Sequence, residues 1–300
     1  MSGSAEAPPI GTVRARAARL PNLGLGSRTG VRRAGLVVLV GVVLFVSLFP
    51  FYWILKTSFE TTQDFNAGAT LVPPHLSTES YRSIFEESDF LRPLLNSAFV
   101  AIVSTIVSVL LGGLAGYALA RLGIRGRGAI LGYVLAVAFF PVIAIVGPMF
   151  LVYKTLNLLD TYLALILSYM IYTLPIATWV LTNFFSQIPH ELEEAALVDG
   201  ATRLQSLWRV VVPVALPGLF TAAILSFILA WNDFVFALSF LQSPSRYTAP
   251  LAIVNLGQSQ YHVFYNRIDA AVVVATIPIV IVVLLAQRRI VSGLTAGSLK

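Results

Sequence analysis

The side chains that could do chemistry in this chain are few, and their spacing points to recognition rather than bond-breaking. His190-Glu191 opens like a zinc-binding H-E-x-x-H helix, but Glu194 stands where the second histidine would be. A phosphate-cradling G-x-x-x-x-G-K-[ST] loop needs a glycine before its lysine. Lys56 and Lys154 are each followed by threonine, but Leu55 and Tyr153 precede them. No G-x-S-x-G nucleophile elbow occurs. There is no cysteine, which removes disulfides, thiolate metal sites and thiol nucleophiles together. Two groups remain. Glu191, Glu193, Glu194 and Asp199 crowd one short segment that ends at Gly200. Trp231-Asn232-Asp233 places the one charge that lies deep in an apolar stretch. Such a residue faces a bundle interior or a watery cavity, so solute contact and an interhelical hydrogen-bond anchor are both open to Asp233.

The elements that must hold these groups are set by composition. Apolar residues make up 57% of the 300 and charged residues 11%. An ordinary soluble domain carries about 25% charged residues, so lipid must be the main solvent of this chain. A bilayer core needs about 20 consecutive apolar residues in helical form. Six such runs stand at residues 34–55, 94–120, 129–153, 161–185, 216–241 and 270–287. The second carries Asn96, Ser97, Ser104, Thr105 and Ser108, and Gly112-x-x-x-Gly116 permits close helix approach there. Pro141, Pro148, Pro175 and Pro278 fall inside the later runs and predict kinks.

The net charge of +6 is not a nucleic-acid signature, because the basic residues form short clusters between the apolar runs rather than one face. Fourteen of the 20 Lys and Arg fall on the side of the N-terminus when the runs alternate across the membrane. The positive-inside rule then makes both termini cytoplasmic. The first apolar run is too long for a secretory h-region and has no A-x-A site after it, so it reads as an uncleaved span. Residues 1–33 are basic and without periodicity, which predicts a mostly disordered extension with room for a short interfacial helix at its end.

Three connections have features of their own. In 56–93, Tyr81, Ile84 and Phe85 follow the possible cap Thr78 at helical spacing, predicting a short surface helix. In 242–269, Gln258, Gln260 and Tyr261 could reach a partner or a solute. The segment 186–215 is too polar to span, yet Ile188, Leu192, Ala195, Ala196 and Val198 mark one helix face. Gly200 then stops that helix, and Thr202–Val211 makes a second ending before Pro213. A hairpin lying on lipid would favour Lys and Arg on its polar face. The acids here favour a protein partner with basic residues.

Glu194-Ala195-Ala196, then Gly200, then Val210-x-Val212-Pro213 resembles the EAA loop of importer-type ABC permeases, and Asp199 and Ala201 complete the fuller form of that pattern. FPFYWILKTSF (49–59), LNLLDTYLALIL (156–167) and AWNDFVFAL (230–238) are similar to the carbohydrate, maltose-type branch, and to the smaller second permease of the pair. The resemblance covers about 34–300.

It implies an all-α membrane fold. Six transmembrane helices over 34–287 would carry a cytoplasmic coupling hairpin (186–215) between the fourth and fifth, with 288–300 as a cytoplasmic tail. The site would be an inner-membrane one in a bacterium. Glu191, Glu193, Glu194, Ala195, Ala196, Asp199, Gly200, Ala201 and Pro213 would dock a separate ATPase dimer, which alone binds ATP and Mg. Trp231, Asn232 and Asp233 would line a path for a di- or oligosaccharide, with an α-glucoside such as trehalose or maltose preferred. Sugars are neutral polyols, read by paired polar groups and aromatic faces. The other partners would be a second permease in a heterodimer, an extracytoplasmic solute-binding protein touching Gln258, Gln260 and Tyr261, and lipid. The chain itself would catalyse nothing. An ion-coupled secondary transporter predicts more intramembrane carboxylates and often internal repeats. A non-transporting scaffold would leave the path residues incidental.

Overall fold

The computed structural model describes residues 25–256 and 264–295. All regular elements among them are helical. The chain divides into two units, residues 1–51 and 52–300, with the division inside the first helix.

Helix α1 (Leu25–Ser58) carries most of the first unit. It starts nine residues before the predicted run and includes the end of the extension expected to be disordered. Residues 1–24 lie outside the described part. Between Leu36 and Tyr52 exposed apolar side chains lie on every face of α1, as in a helix solvated by lipid.

In the second unit, α2 (Thr62–Ala67) and α3 (Glu79–Glu86) precede α4 (Leu91–Arg121), α5 (Arg127–Ala138), α6 (Val142–Thr155) and α7 (Tyr162–Gln187). Beyond these come α8 (His190–Val198), α9 (Arg203–Ser206), a π-turn (Leu207–Val211) and α10 (Val212–Val214). The chain continues through α11 (Leu216–Trp231), α12 (Val235–Phe240), α13 (Ala249–Leu256) and α14 (Tyr265–Thr295). Helix α3 forms where predicted. It is not a free surface helix, because Ile84 is fully buried against Phe90, Ala249, Ala270 and Ala271.

Helices α4 and α7 form the spine, and they run parallel. The Tyr162 hydroxyl donates to Asn96 Oδ1 (2.8 Å), the Ser108 and Thr173 hydroxyls share a hydrogen bond (2.6 Å), and an Arg121 Nη donates to the Ile188 carbonyl (2.5 Å). The offset between partners stays at 65–67 residues along the whole length. The polar residues of α4 therefore face protein: Ser97, Ser104 and Ser108 are buried where lipid would leave a hydroxyl unpaired. Gly112 and Gly116 lie against the backbone of Thr178 and Thr182, so the glycine pair serves packing within the bundle.

Two parallel helices can be joined across a bilayer only if the chain between them crosses back. Between them stand α5 and α6, a pair bent by 83° at Phe139–Pro141 and together long and apolar enough for that crossing. The kink predicted at Pro141, inside the run 129–153, is a full break. Pro141 lacks the N–H a continuing helix needs and stands at the N-cap of α6. Pro148, Pro175 and Pro278 stay inside continuous helices. The run predicted at 216–241 also breaks: α11 ends at Trp231, and α12 begins at Val235. Among the described residues four unbroken helices are long and apolar enough to cross a membrane, and up to six spans result if two bent pairs each count as one: α5 with α6, and residues 203–214 with α11.

The second helix of the polar hairpin does not stop before Pro213. It runs on to Val214, because the intervening turn is π-wound, with the Val212 N–H donating to the Leu207 carbonyl. Widening the helix by one residue relieves the clash a proline makes with the preceding turn. At Ala215 the chain then turns by 80° into α11.

Candidate functional site

The polar hairpin is defined by how α8 stops. The Ala201 N–H donates to the Ala196 carbonyl (3.0 Å) and the Gly200 N–H to the Leu197 carbonyl (3.1 Å). This is a Schellman closure, and it requires a left-handed residue at Gly200, where φ is +87°. Thr202 starts α9 at once with a reciprocal capping box: Gln205 N–H donates to its hydroxyl, and its own N–H donates to the Gln205 side chain. The sequence Asp199-Gly200-Ala201-Thr202 is therefore a stop and a start in adjacent residues. The turn angle between the two helices is fixed by hydrogen bonds.

The acids of α8 divide by face. Glu191, Glu194 and Asp199 are exposed, as are Ala195 and Gly200, while Ala196 and Ala201 are half-buried. Glu193 points the other way. It is 7% exposed and is the one buried residue of α8. Its carboxylate accepts from the Tyr117 hydroxyl and lies 3.8 Å from Arg121 Nε. Beside the exposed acids stand apolar side chains that the rest of the chain leaves uncovered: Leu192, Val198 (87% exposed), Leu204 and Trp208. Pro213 is exposed on the same hairpin. Glu191 and Glu193 also occupy the first turn of α8, where carboxylates stabilise a helix start.

Trp231, Asn232 and Asp233 sit at the break between α11 and α12, and their environments differ. Trp231 is buried and packs on Phe227 (5.5 Å between centroids). Asn232 is exposed, and its amide donates to the Ile228 carbonyl (2.7 Å). Asp233 is half-buried, and its carboxylate accepts the Ala237 N–H (3.3 Å), so it helps start α12. Next to it stands an aromatic column. Tyr172 stacks on Phe236 (6.2 Å), Phe236 on Phe240 (5.8 Å), and Tyr169 lies beside both Tyr172 and Phe236. The Tyr172 hydroxyl is buried without a hydrogen-bond partner, and the buried Tyr169 hydroxyl lies beside the Asp233 carboxylate. The sequence signal for these two tyrosines was weak: they are two aromatics in an apolar run, brought to Asp233 only by packing. Gln258, Gln260 and Tyr261 lie outside the described residues.

At the opposite end from the hairpin, Asp160 ties two connections together. Its carboxylate accepts from the Gln242 and Ser243 N–H groups (3.0 Å each) and the Ser243 hydroxyl (2.6 Å), with Arg246 3.7 Å away. Burial alone would raise its pKa, but these hydrogen bonds and the Arg246 charge outweigh it and hold the carboxyl below its ordinary value.

Residues 108–295, from the middle of α4 to the end of α14 and including the hairpin, match the family described as binding-protein-dependent transport system inner membrane component. The chain belongs to that family. As an inner membrane component it is a multi-pass membrane permease of the ABC transporter type. It is 42% identical to the trehalose transport system permease protein SugB of Mycobacterium tuberculosis, over 90% of this chain and 99% of that protein. It is 41% identical to the sulfoquinovosyl glycerol transport system permease protein SmoH of Agrobacterium fabrum, over 88% of this chain and 92% of that protein. Among solved structures, the fold is similar to a chain in a crystal structure of a bacterial ABC transporter involved in the import of the acidic polysaccharide alginate. That likeness has a TM-score of 0.71 at 25% identity and covers 87% of this chain and 96% of that one.

Proposed function

We propose that this inner membrane component forms half of the translocation pathway of an ATP-driven importer for a di- or oligosaccharide, and that its hairpin docks a separate ATPase. The observation that carries the docking reading is the outward face of α8 and α9. Three carboxyl groups stand there with Leu192, Val198, Leu204 and Trp208 on a hairpin whose internal angle is fixed. An exposed apolar set with an acidic rim suits a protein groove lined by basic residues. In this reading the hairpin and both termini face the cytoplasm, ATP and Mg belong to the ATPase dimer, and a second permease completes the pathway. Half-buried Asp233 and Tyr172, with exposed Asn232 beside them, are the part of this chain best equipped to meet a sugar.

The sugar class is supported by the relatives, two of which are named for trehalose: the SugB protein and the trehalose/maltose permease protein MalG of Thermococcus litoralis, 38% identical. Almost equal identity to a sulfoquinovosyl glycerol permease means that overall similarity does not select the glycoside. An α-glucoside such as trehalose or maltose is the first candidate. Glu194→Lys tests docking: it should weaken co-purification of the ATPase or uncouple hydrolysis from uptake. Wild-type association with wild-type uptake in that variant would refute the assignment.

A further inference from the structure

Helix α8 has little apolar grip on the bundle. Its one buried residue is an acid, Glu193. It leaves α7 through Ile188 and Pro189, and α9 leads only indirectly into α11 through a π-turn and an 80° bend. Buried Ile188, Leu207 and Val211 anchor the two ends of the hairpin in the core. Three polar side chains tie α8 itself to the bundle. The Glu193 carboxylate accepts from Tyr117, and Arg121, one turn further along α4, donates to the Ile188 carbonyl at the root of the hairpin. The Arg121 side chain is 1% exposed, and its Nε lies 3.8 Å from Glu193. That pair is held close without a full hydrogen bond, and Nε and Nη1 of Arg121 have no partner. A buried guanidinium with unused donors has a second arrangement within reach, because a small shift of α8 would bring the carboxylate onto Nε. The group carrying both partners is stiff: Gly112 and Gly116 hold α4 against α7, and the Tyr117 ring meets Phe185 edge-on (6.3 Å).

We infer that Tyr117, Arg121 and Glu193 form a polar joint that hands displacement of the docking hairpin to α4, and through α4 to the α4–α7 spine. All three are positioning residues of the transport cycle. Glu193 therefore does a different task from Glu194, its exposed neighbour: Glu194 meets the ATPase, and Glu193 passes the movement on. The inference rests on the docking reading above.

The test uses the complete transporter in proteoliposomes, with both permeases, the ATPase and the solute-binding protein present. ATP hydrolysed per sugar taken up is measured for Tyr117→Phe and Glu193→Gln. Tyr117→Phe removes one oxygen and keeps the ring packing, so it guards against simple misfolding. The joint predicts normal co-purification of the ATPase, hydrolysis within about twofold of wild type, and at least about threefold more ATP per sugar, the range that single residues in coupled networks produce. An unchanged ratio in both variants would overturn it. Glu194→Lys, run alongside, separates the two readings. Loss of ATPase association in Glu194→Lys with an unchanged ratio in both Tyr117→Phe and Glu193→Gln overturns the joint alone. Unaltered association and uptake in Glu194→Lys overturns docking, and the joint with it.

Discussion

A Cβ on Gly116 would lie 2.9 Å from the backbone nitrogen of Thr182, closer than packed atoms tolerate. The obstacle is backbone, which cannot swing aside. Gly116→Val should therefore force α4 and α7 apart and cost about 1–3 kcal/mol of stability. The thermal midpoint of the detergent-solubilised protein is the measurement. Gly113→Ala is the control, since its Cβ would meet only Leu181 Cδ1 at an ordinary 3.6 Å. It should leave the midpoint nearly unchanged.

Gly200 has a different reason to be glycine. Open space surrounds it, but its φ is +87°. Gly200→Val should cost about 1–2 kcal/mol by steric strain in the left-handed region, and Gly200→Asn less. The loss should stay local. Amide exchange over 196–205 should quicken in Gly200→Val while α4 and α7 keep their protection.

The Lys56–Glu60 pair is a third test. Its atoms approach to 2.5 Å with side chains only 3% and 1% exposed, and Lys56 also lies over the Trp53 ring. Removing one partner strands the other charge. Glu60→Leu alone should destabilise by about 3–5 kcal/mol, and the double change Lys56→Met with Glu60→Leu should recover most of it. Thermal midpoints of the two single variants and the double one decide this. Additive losses would contradict the account.

Asp160 sets a pH dependence. Its carboxyl is held below its ordinary value in the folded protein, so the unfolded chain takes up its proton first as pH falls. The contribution to stability is fully present above the ordinary carboxylate pKa of about 3.9 and is lost as pH falls through the lower folded value. Asp160→Asn should lower stability at neutral pH and flatten the acid side of the pH–stability curve. A variant curve parallel to wild type down to the acid limb would contradict this.

Much of the fold is legible in the sequence because hydropathy reports the solvent directly. The hairpin is legible too, because Gly200 and Thr202 each carry their reason locally. Which proline breaks its helix is not: all four predict kinks, yet Pro141 ends one while Pro148, Pro175 and Pro278 stay inside continuous helices. Glu193 and Glu194 cannot be told apart in sequence either. Which one turns inward is decided by Tyr117, 76 residues away. Asp160 likewise receives its partners from residues more than 80 positions on. For Trp231-Asn232-Asp233 the sequence locates the unusual residues, but only packing adds Tyr169 and Tyr172 to them.

The central claim is that this chain is a dependent permease. The most direct test compares uptake of labelled trehalose and maltose into proteoliposomes holding this chain alone, under an imposed ion gradient, with uptake by the complete set of two permeases, ATPase and solute-binding protein supplied with ATP. The account predicts uptake only in the complete set, abolished when ATP is withheld. Gradient-driven uptake by this chain alone would contradict it.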